Sequence, residues 1–143
     1  MHVTQLLAHK GDDVATISKD RTIADAVNVL RERGIGALVV TGSGTPLKGI
    51  LSERDVVRAL ALRGASVLSD TVESLMSTDV ATCTPDTTCT DLMGLMTEHR
   101  IRHVPVMSDG RLVGLVSIGD VVKARFDELE REKRDLLEYV SAR

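Results

Sequence analysis

The chain carries one sequence pattern twice. The segment Val14–Val57 returns as Val80–Val122, at an offset of 66 residues in its first part and 65 in its last part, so one residue is lost in a turn. A duplicated unit of this size can pair with its copy about a pseudo-two-fold axis, and such a pair has two equivalent clefts between its halves. The repeat therefore constrains both the fold and the places where a ligand would bind.

Length and composition fit one globular domain whose two halves share a core. A chain of 143 residues can bury roughly two-thirds of its unfolded surface. Its aromatic side chains are Phe126 and Tyr139, so it lacks the stacking platforms that grip single-stranded nucleic acid. A net charge of −3, with acids and bases interspersed, also argues against nucleic-acid binding, because such proteins carry a basic stripe.

The sequence shows no targeting signal or membrane span and has only two cysteines, so we expect a cytoplasmic protein without membrane contact. No apolar run approaches the ~18–20 residues of a membrane span, and the start at Met1 lacks the basic and apolar regions of a signal peptide. Cys83 and Cys89 align with Ile17 and Ile23, which favours two small buried hydrophobes, although a disulfide stays open.

Each repeat is predicted to fold as strand, helix, strand, strand and helix, after a short helical turn. The helices are predicted to begin at a hydroxyl residue followed by aspartate in capping-box spacing: Thr22 with Asp25, Ser52 with Asp55, Thr88 with Asp91, and Ser117 with Asp120. The predicted strands are Val14–Ile17, Ala37–Val40 and Lys48–Leu51, then Val80–Cys83, His103–Met107 and Leu112–Val116. The predicted helical turns are Val3–Leu7 and Val72–Met76.

These elements predict an α/β (α+β) fold of two β-α-β-β-α repeats with an extended C-terminal helix. We expect residues 1–64 to form the first repeat with its helical turn, 65–126 the connector and second repeat, and 127–143 the helical extension. One side of this helix is apolar, at Phe126, Leu129, Leu136, Leu137 and Val140. Such a stripe has to be covered by the chain's own domain or by another chain, and the sequence leaves both open.

The motif Gly-h-h-Ser-x-x-Asp, in which h is apolar, occurs near the end of each repeat. It spans Gly49–Asp55 and Gly114–Asp120, where a strand is predicted to run directly into a helix N-terminus. Unpaired N–H groups and a partial positive charge at a helix N-terminus suit phosphate, and a carboxylate suits the vicinal hydroxyls of a ribose. Because Ser-x-x-Asp is also an ordinary capping box, the motif fits both a ligand site and a simple cap.

The ordered pattern with this motif resembles a tandem pair of CBS (cystathionine β-synthase) domains, also called a Bateman module, from about Val3 to Phe126. With nothing left over for a catalytic or transport domain, the chain is similar to the stand-alone bacterial members of that family. The resemblance implies a homodimeric regulatory module, not an enzyme. It also implies that an adenosyl compound such as AMP, ADP, ATP, NAD(H) or S-adenosylmethionine binds between the repeats.

The same resemblance implies a set of nucleotide-binding residues. Asp55 and Asp120 would hold the ribose, while Ser52 and Ser117 would approach the ribose or phosphate. Adenine would lie against the first strand and the entry of the second, which are Thr16, Ile17, Ala37 and Leu38 in one repeat and Thr82, Cys83, Val104 and Pro105 in the other. The further candidates are the basic residues Arg54, Arg102 and His103 and the apolar residues Ile50 and Leu115.

The two sites are predicted to be unequal. Where the second repeat has Arg102 and His103, the first has Gly36 and Ala37, and Arg54 stands inside the first Ser-x-x-Asp segment where the second has glycine. A missing cation beside a phosphate removes a charge-assisted hydrogen bond of ~1.5–3 kcal/mol, so affinity or ligand should differ between the sites. The sequence leaves open which cleft Arg102 serves.

Catalytic and metal sites find little support. His99 and His103 lie where helix is predicted to give way to strand, and their segment lacks the glutamate of H-E-x-x-H, so no metal is expected. No serine or cysteine has the context of a nucleophile. The sequence therefore predicts a non-enzymatic sensor of adenine nucleotides that acts on an unidentified partner protein. The alternative is a ligand-free dimeric interaction scaffold, in which the Ser and Asp pairs serve as caps.

Overall fold

The computed structural model describes residues 1–11 and 13–142. The first half contains α1 (Val3–Lys10), β1 (Thr16–Ser18), α2 (Ile23–Arg33), β2 (Ala37–Gly42), β3 (Thr45–Ser52) and α3 (Glu53–Arg63). A 3₁₀ helix, Gly64–Ser69, forms the connector. The second half contains α4 (Val72–Leu75), α5 (Cys89–His99), β4 (His103–Ser108), β5 (Arg111–Ser117) and α6 (Ile118–Ser141).

Two small sheets organise the two halves. In the first sheet β2 pairs in parallel with β1 and antiparallel with β3, and in the second sheet β4 pairs antiparallel with β5. Strands β3 and β5 contact each other, which joins the halves. The predicted α/β class, with two related repeats and a C-terminal helix, is confirmed.

The strand predicted at Val80–Cys83 is wrong in extent, because only one parallel bridge forms there, between Cys83 and Val106. In the first sheet the N–H groups of Val39 and Lys19 donate to Ala15 and Thr41, at 3.1 and 3.0 Å. Prolines occupy the two equivalent positions in the second repeat, Pro105 and Pro85. Proline has no N–H to donate, so the outer hydrogen bonds of this ladder are missing.

The helix starts follow the predicted capping residues. The side chains of Thr22, Ser52, Thr88 and Ser117 each accept a hydrogen bond from the backbone N–H of the aspartate three residues later. Each cap satisfies one of the N–H groups that a helix N-terminus leaves unpaired. The helix starts are therefore determined locally, by residues that are close in sequence.

The short helices α1 and α4 are exchanged between the hydrophobic cores. Val72 of α4 is buried in the core of the first repeat, whereas Val3 and Leu6 of α1 are buried in the core of the second. Equivalent hydrogen bonds fix both helices, from Val72 N to Arg21 O at 2.8 Å and from Val3 N to Thr87 O at 2.9 Å. The predicted division at residues 64 and 65 therefore describes the sequence repeat, while each core takes one helix from the other side of that division.

Helix α6 leaves its apolar stripe exposed. The side chains of Val122 and Phe126 are 60% and 62% exposed, and Leu129, Leu136, Leu137, Tyr139 and Val140 are exposed as well. The alternative in which this stripe packs on the chain's own domain is therefore wrong. Arg143, at the end of the predicted helical extension, lies outside the described residues. Although α6 has 24 residues, no helix in residues 1–11 and 13–142 is long and apolar enough to cross a bilayer.

Candidate functional site

Two clefts lie between the repeats, and each takes its walls from both of them. The first cleft has a volume of about 650 Å³ and is lined by Gly36, Ile50, Ser52, Glu53, Arg54, Asp55, Val57, Arg58, Ser77, Asp79, Val80, Ala81, Arg100, Ile101, Arg102 and His103. The second cleft has a volume of about 620 Å³ and is lined by Lys10, Asp13, Val14, Ala15, Arg33, Gly34, Ile35, Gly36, Ala37, His103, Leu115, Ser117 and Asp120. Both volumes are in the range of small-molecule sites.

The clefts combine the repeats crosswise. Ser52 and Asp55, from the junction of β3 and α3, face the segment that precedes β4, including Arg102. Ser117 and Asp120, from the junction of β5 and α6, face the equivalent segment of the first repeat. Arg102 therefore serves the first cleft, and His103 lies on the wall shared by both clefts.

Both Ser-x-x-Asp segments form reciprocal caps. Asp55 Oδ2 accepts from Ser52 N at 2.9 Å, and Ser52 Oγ accepts from Asp55 N at 3.3 Å. In addition, the N–H of Glu53 donates to Gly36 O at 2.9 Å. In the described chain, Asp55 Oδ1 and the backbone N–H of Arg54 have no hydrogen-bond partner in the protein. One carboxylate oxygen thus remains as an acceptor for a ligand, and one backbone amide remains as a donor. An uncapped helix N-terminus would offer more donors.

The first cleft has basic side chains that are not used by the protein itself. Arg54, Arg58, Arg100 and Arg102 line it, and none of them forms an ion pair with any described residue. The same holds for the carboxylates of this cleft: no ion pair with any described residue involves Glu53, Asp55 or Asp79. An anion entering this cleft can meet several guanidinium groups without breaking an existing pair.

The second cleft is neutralised internally. Lys10 Nζ lies 2.6 Å from Asp120 Oδ2 and donates to Leu115 O at 2.6 Å. Arg33 Nη1 lies 3.7 Å from Asp13 Oδ2. Both cations of this cleft are thus paired with its own carboxylates, so the predicted inequality of the clefts extends beyond Arg102 and Arg54.

Burial and hydrogen bonding act on two titratable groups at the clefts. Burial raises the pKa of Asp120, but hydrogen bonds from Lys10 and from the backbone and hydroxyl of Ser117 outweigh burial and hold the pKa below its usual value. For His103, burial lowers the pKa, and the positive charge of Lys10 adds to that shift. His103 is therefore shifted toward its neutral form and Asp120 toward its charged form.

The glycine of the motif is required by a close approach of the chain. A Cβ at Gly49 would lie 2.6 Å from Ser77 O and 2.9 Å from Met76 Sδ. A Cβ at Gly114 would lie 2.5 Å from Leu7 Cδ2. Glycine thus lets the exchanged helices and their flanks pack against β3 and β5 beside the clefts.

The structure brings most of the predicted polar site residues together. Ile50, Ser52, Arg54, Asp55, Arg102 and His103 line the first cleft, and Ala37, His103, Leu115, Ser117 and Asp120 line the second. Seven of the eight residues predicted to contact adenine line neither cleft among the described residues: Thr16, Ile17, Leu38, Thr82, Cys83, Val104 and Pro105. Thr16 and Thr82 are exposed, and the other five are buried. Chain neighbours of these residues, Val14 with Ala15 and Val80 with Ala81, line the clefts instead.

Sequence reasoning missed Arg58, Arg100 and Lys10 as cleft residues. Arg100 ends α5 in the left-handed conformation, at φ 54°, where the first repeat has Gly34 at φ 61°. A long side chain at a position that favours glycine is a signal that could have been found, because backbone strain concentrates at functional sites. Lys10 gives no such signal, since its partner Asp120 is 110 residues away.

Metal-ligand clusters and disulfides do not contribute to this site. Among residues 1–11 and 13–142, no group of three or more His, Cys, Asp and Glu side chains is placed to hold a metal ion. Cys83 and Cys89 are free thiols, the first of them buried in the second core. The described residues that line the clefts offer carboxylates, guanidinium groups, hydroxyls and aliphatic side chains, together with the imidazole of His103 and the ammonium group of Lys10.

The family model of the CBS domain matches the chain twice, at residues 8–62 and 72–127. The chain belongs to the CBS domain family. Its two repeats form a CBS domain pair, as the sequence resemblance predicts. Stand-alone CBS-domain proteins are in general regulatory rather than catalytic.

Relatives and solved structures share this architecture. "CBS domain-containing protein CBSX3, mitochondrial" of Arabidopsis thaliana is 41% identical over 125 residues, which are 85% of this chain and 61% of that protein. A CBS-domain containing protein from Agrobacterium tumefaciens has a crystal structure with a TM-score of 0.84 and 46% identity, covering 87% of this chain and 92% of that one. The CBS domain pair of protein MJ0100, solved in complex with 5′-methylthioadenosine and S-adenosyl-L-methionine, has a TM-score of 0.79 and 25% identity, over 90% and 98% of the two chains.

Proposed function

We propose that this CBS domain pair is a non-enzymatic regulatory module that binds a phosphate-bearing adenosyl compound, such as AMP, ADP, ATP or NAD(H), in the first cleft. The observation that carries the proposal is the set of four arginines that line the first cleft together with Asp55 and form no ion pair with any described residue. A carboxylate beside several guanidinium groups matches a ligand with vicinal hydroxyls at one end and phosphates at the other.

Each part of such a ligand has a complementary wall in the first cleft. Asp55 Oδ1, which the cap leaves free within the described chain, would accept hydrogen bonds from the ribose hydroxyls. Arg54 and Arg102 would meet the phosphates, together with the other guanidinium groups of the cleft. Adenine would pack on aliphatic side chains such as Ile50 and Val80, because no Phe, Tyr or Trp is among the described residues that line this cleft.

The comparison structure with bound ligands supports the adenosyl part of the proposal. The CBS domain pair of MJ0100 was crystallised with two adenosyl compounds, 5′-methylthioadenosine and S-adenosyl-L-methionine. Neither of them carries a phosphate group. The preference for phosphate is therefore inferred from the arginines of this chain, and the adenosyl class from the shared fold.

Binding would act on the arrangement of the two repeats. The walls of the first cleft come from β3 and α3 on one side and from the segment before β4 on the other. A ligand that bridges both sides favours the arrangement in which they are close, to the extent that its affinity differs between arrangements. The changed surface would be recognised by an as yet unidentified regulated protein, and the cytoplasm stays our predicted compartment.

Isothermal titration calorimetry with AMP, ATP and NADH tests the proposal. We expect Asp55→Ala to weaken binding by about tenfold or more, because it removes a charged acceptor worth roughly 1.5–3 kcal/mol. Asp120→Ala is the matched control, since it removes the equivalent cap at the other cleft. Equal loss in both variants would show that capping alone explains the effect. No heat with any of the three nucleotides would reject the proposal.

The alternative, a ligand-free scaffold, is favoured by one observation: the caps account for both Ser and Asp pairs. Homodimerisation is common to both functions, and we propose that α6 contributes to it because its apolar stripe is exposed. Leu136→Glu should lower the molar mass measured by light scattering from that of a dimer to that of a monomer. Arg131→Glu, which adds a glutamate on the opposite side of the same helix, is the control that should leave the mass unchanged.

A further inference from the structure

We propose that Lys10 closes the second cleft to nucleosides, so that the wild-type chain binds one adenosyl ligand rather than two. Displacing or replacing Lys10 would open the second site. This inference rests on the proposed use of the clefts for adenosyl compounds. Lys10 lies outside both Gly-h-h-Ser-x-x-Asp segments. According to this inference, its side chain is the reason why the two clefts differ in their affinity for nucleosides.

Lys10 lies across the second cleft at the carboxylate of Asp120, although Oδ1, the counterpart of the free oxygen of Asp55, has no hydrogen-bond partner in the described chain. Its ammonium group is 2.6 Å from Asp120 Oδ2, the oxygen that also accepts from Ser117 N at 2.8 Å. The two side chains of the ion pair are only 35% and 27% exposed, so water screens their attraction less than at an open surface. A second hydrogen bond, from Lys10 Nζ to Leu115 O at 2.6 Å, fixes the ammonium group across the cleft.

The first cleft has no equivalent of this lysine. At the offset of 69 residues that relates Val3–Leu7 to Val72–Met76, its position is occupied by Asp79, a carboxylate that lines the first cleft. The carbonyl of Ile50, the counterpart of Leu115, accepts from the backbone N–H of Ser77 at 2.8 Å. The β-strand carbonyl beside the first cleft therefore accepts from a backbone amide, whereas its counterpart beside the second cleft accepts from the ammonium group of Lys10. That ammonium group also contacts Asp120.

Helix α1 is fixed so that it delivers Lys10 to this position. Val3 and Leu6 are buried in the second core, and Leu7 packs against Gly114. Lys10 is the last residue of α1, one turn beyond these anchors. The ammonium group is thus presented to Asp120 by a helix held in the same core.

A diol competes poorly with this arrangement. A ribose at Asp120 needs the space that the ammonium group fills, so its neutral hydroxyl contacts would be gained at the loss of a charge-assisted hydrogen bond, and such bonds are roughly twice as strong as neutral ones. The displaced ammonium group would also lose Leu115 O. We therefore expect the affinity of the second cleft for adenosine to rise at least tenfold when Lys10 no longer reaches Asp120.

Calorimetric titration with adenosine, which carries the vicinal hydroxyls and no phosphate, tests this inference through the number of sites per chain. Lys10→Met removes the ammonium group and keeps an unbranched side chain of similar length. Lys10→Met with Asp120→Ala removes the proposed second site again. Lys19→Met is the matched control, because Lys19 forms a similar ion pair with Glu73, at 2.8 Å, outside both clefts.

The inference predicts one site in the wild type and in Lys19→Met, two in Lys10→Met, and one in the double variant. Two sites in the wild type, no gain in Lys10→Met, or a gain that persists in the double variant would overturn it. Failure of the proposed function gives a different result, in which the wild type binds neither adenosine nor AMP. In that case one adenosine site per chain in Lys10→Met would still support the role of Lys10. No adenosine site in Lys10→Met would overturn the role of Lys10 as well.

Discussion

Replacement of Arg100 by glycine should stabilise the fold and weaken nucleotide binding at the same time. Arg100 ends α5 with φ 54° and ψ 45°, and Gly34 ends α2 with φ 61° and ψ 41°. The two repeats thus adopt the same left-handed conformation, one with arginine and the other with glycine. Arg100 lines the first cleft, which gives a functional reason for the less favourable residue.

The size of the stability change follows from two opposing effects. The left-handed conformation costs a non-glycine residue about 1–2 kcal/mol. Introducing glycine gives the unfolded chain additional freedom, which removes about 0.4–1 kcal/mol of that gain. We expect Arg100→Gly to raise the free energy of unfolding by about 0.5–1 kcal/mol, or Tm by about 1–4 °C for a domain of this size.

The effect on binding has the opposite sign. The variant loses one of the guanidinium groups that line the first cleft. Loss of one charge-assisted contact should weaken ATP binding by about tenfold, which corresponds to about 1.4 kcal/mol. Arg111→Ala, at an exposed arginine outside both clefts, is the control for the loss of net positive charge.

Thermal unfolding and calorimetry on the same samples measure both effects. Gly34→Ala is the reverse control for stability: its Cβ would have no atom within 4 Å, so only the strained backbone should lower Tm. A lower Tm for Arg100→Gly would refute the argument from backbone conformation. ATP affinity equal to that of Arg111→Ala would refute the role of Arg100 in the cleft.

Three further perturbations test the packing and the titratable groups. Gly49→Ala should lower the free energy of unfolding in urea by about 1–3 kcal/mol, and more than Gly114→Ala, because the first Cβ meets a backbone carbonyl and the second only the end of a leucine side chain. The pKa of His103 is lowered by burial and by nearby positive charge, so the unfolded chain binds the proton more readily than the folded chain. The free energy of unfolding should therefore fall as the pH drops below about 6.5, and His103→Gln should make it depend less on pH. Burial raises the pKa of Cys83 to about 11, so iodoacetamide at pH 8 should alkylate the less buried Cys89 first in the native protein, while mass spectrometry should find similar rates for both in urea.

The outcome for the second sheet shows where prediction from sequence is limited. Alternating apolar residues predict a strand at Val80–Cys83, by analogy with Val14–Ile17. The structure retains a single bridge there, because Pro85 and Pro105 remove two donors from the ladder. Both prolines are visible in the sequence, but their effect depends on which residues the two strands place opposite each other.

The candidate site divides in a similar way. The reciprocal caps at Ser52 and Ser117 were predictable, because the partners are three residues apart. The crosswise placement of Arg102 beside Asp55 was not predictable, because it depends on how one repeat docks on the other. The residues predicted to contact adenine show the same limit: Ile17, Leu38, Cys83 and Val104 are buried in the cores, whereas Val14 and Val80, which precede Ile17 and Cys83, line the clefts.

The sequence alone determined the duplicated unit, the helix starts and the position of the Ser-x-x-Asp segments, because hydrogen bonds between near neighbours need no knowledge of the rest of the fold. Tertiary structure decided the exchange of α1 and α4, the composition of each cleft and the contact between Lys10 and Asp120. Those features join residues far apart in the chain, so they depend on packing that buries apolar surface from both repeats at once. Two similar repeats thereby acquire different clefts.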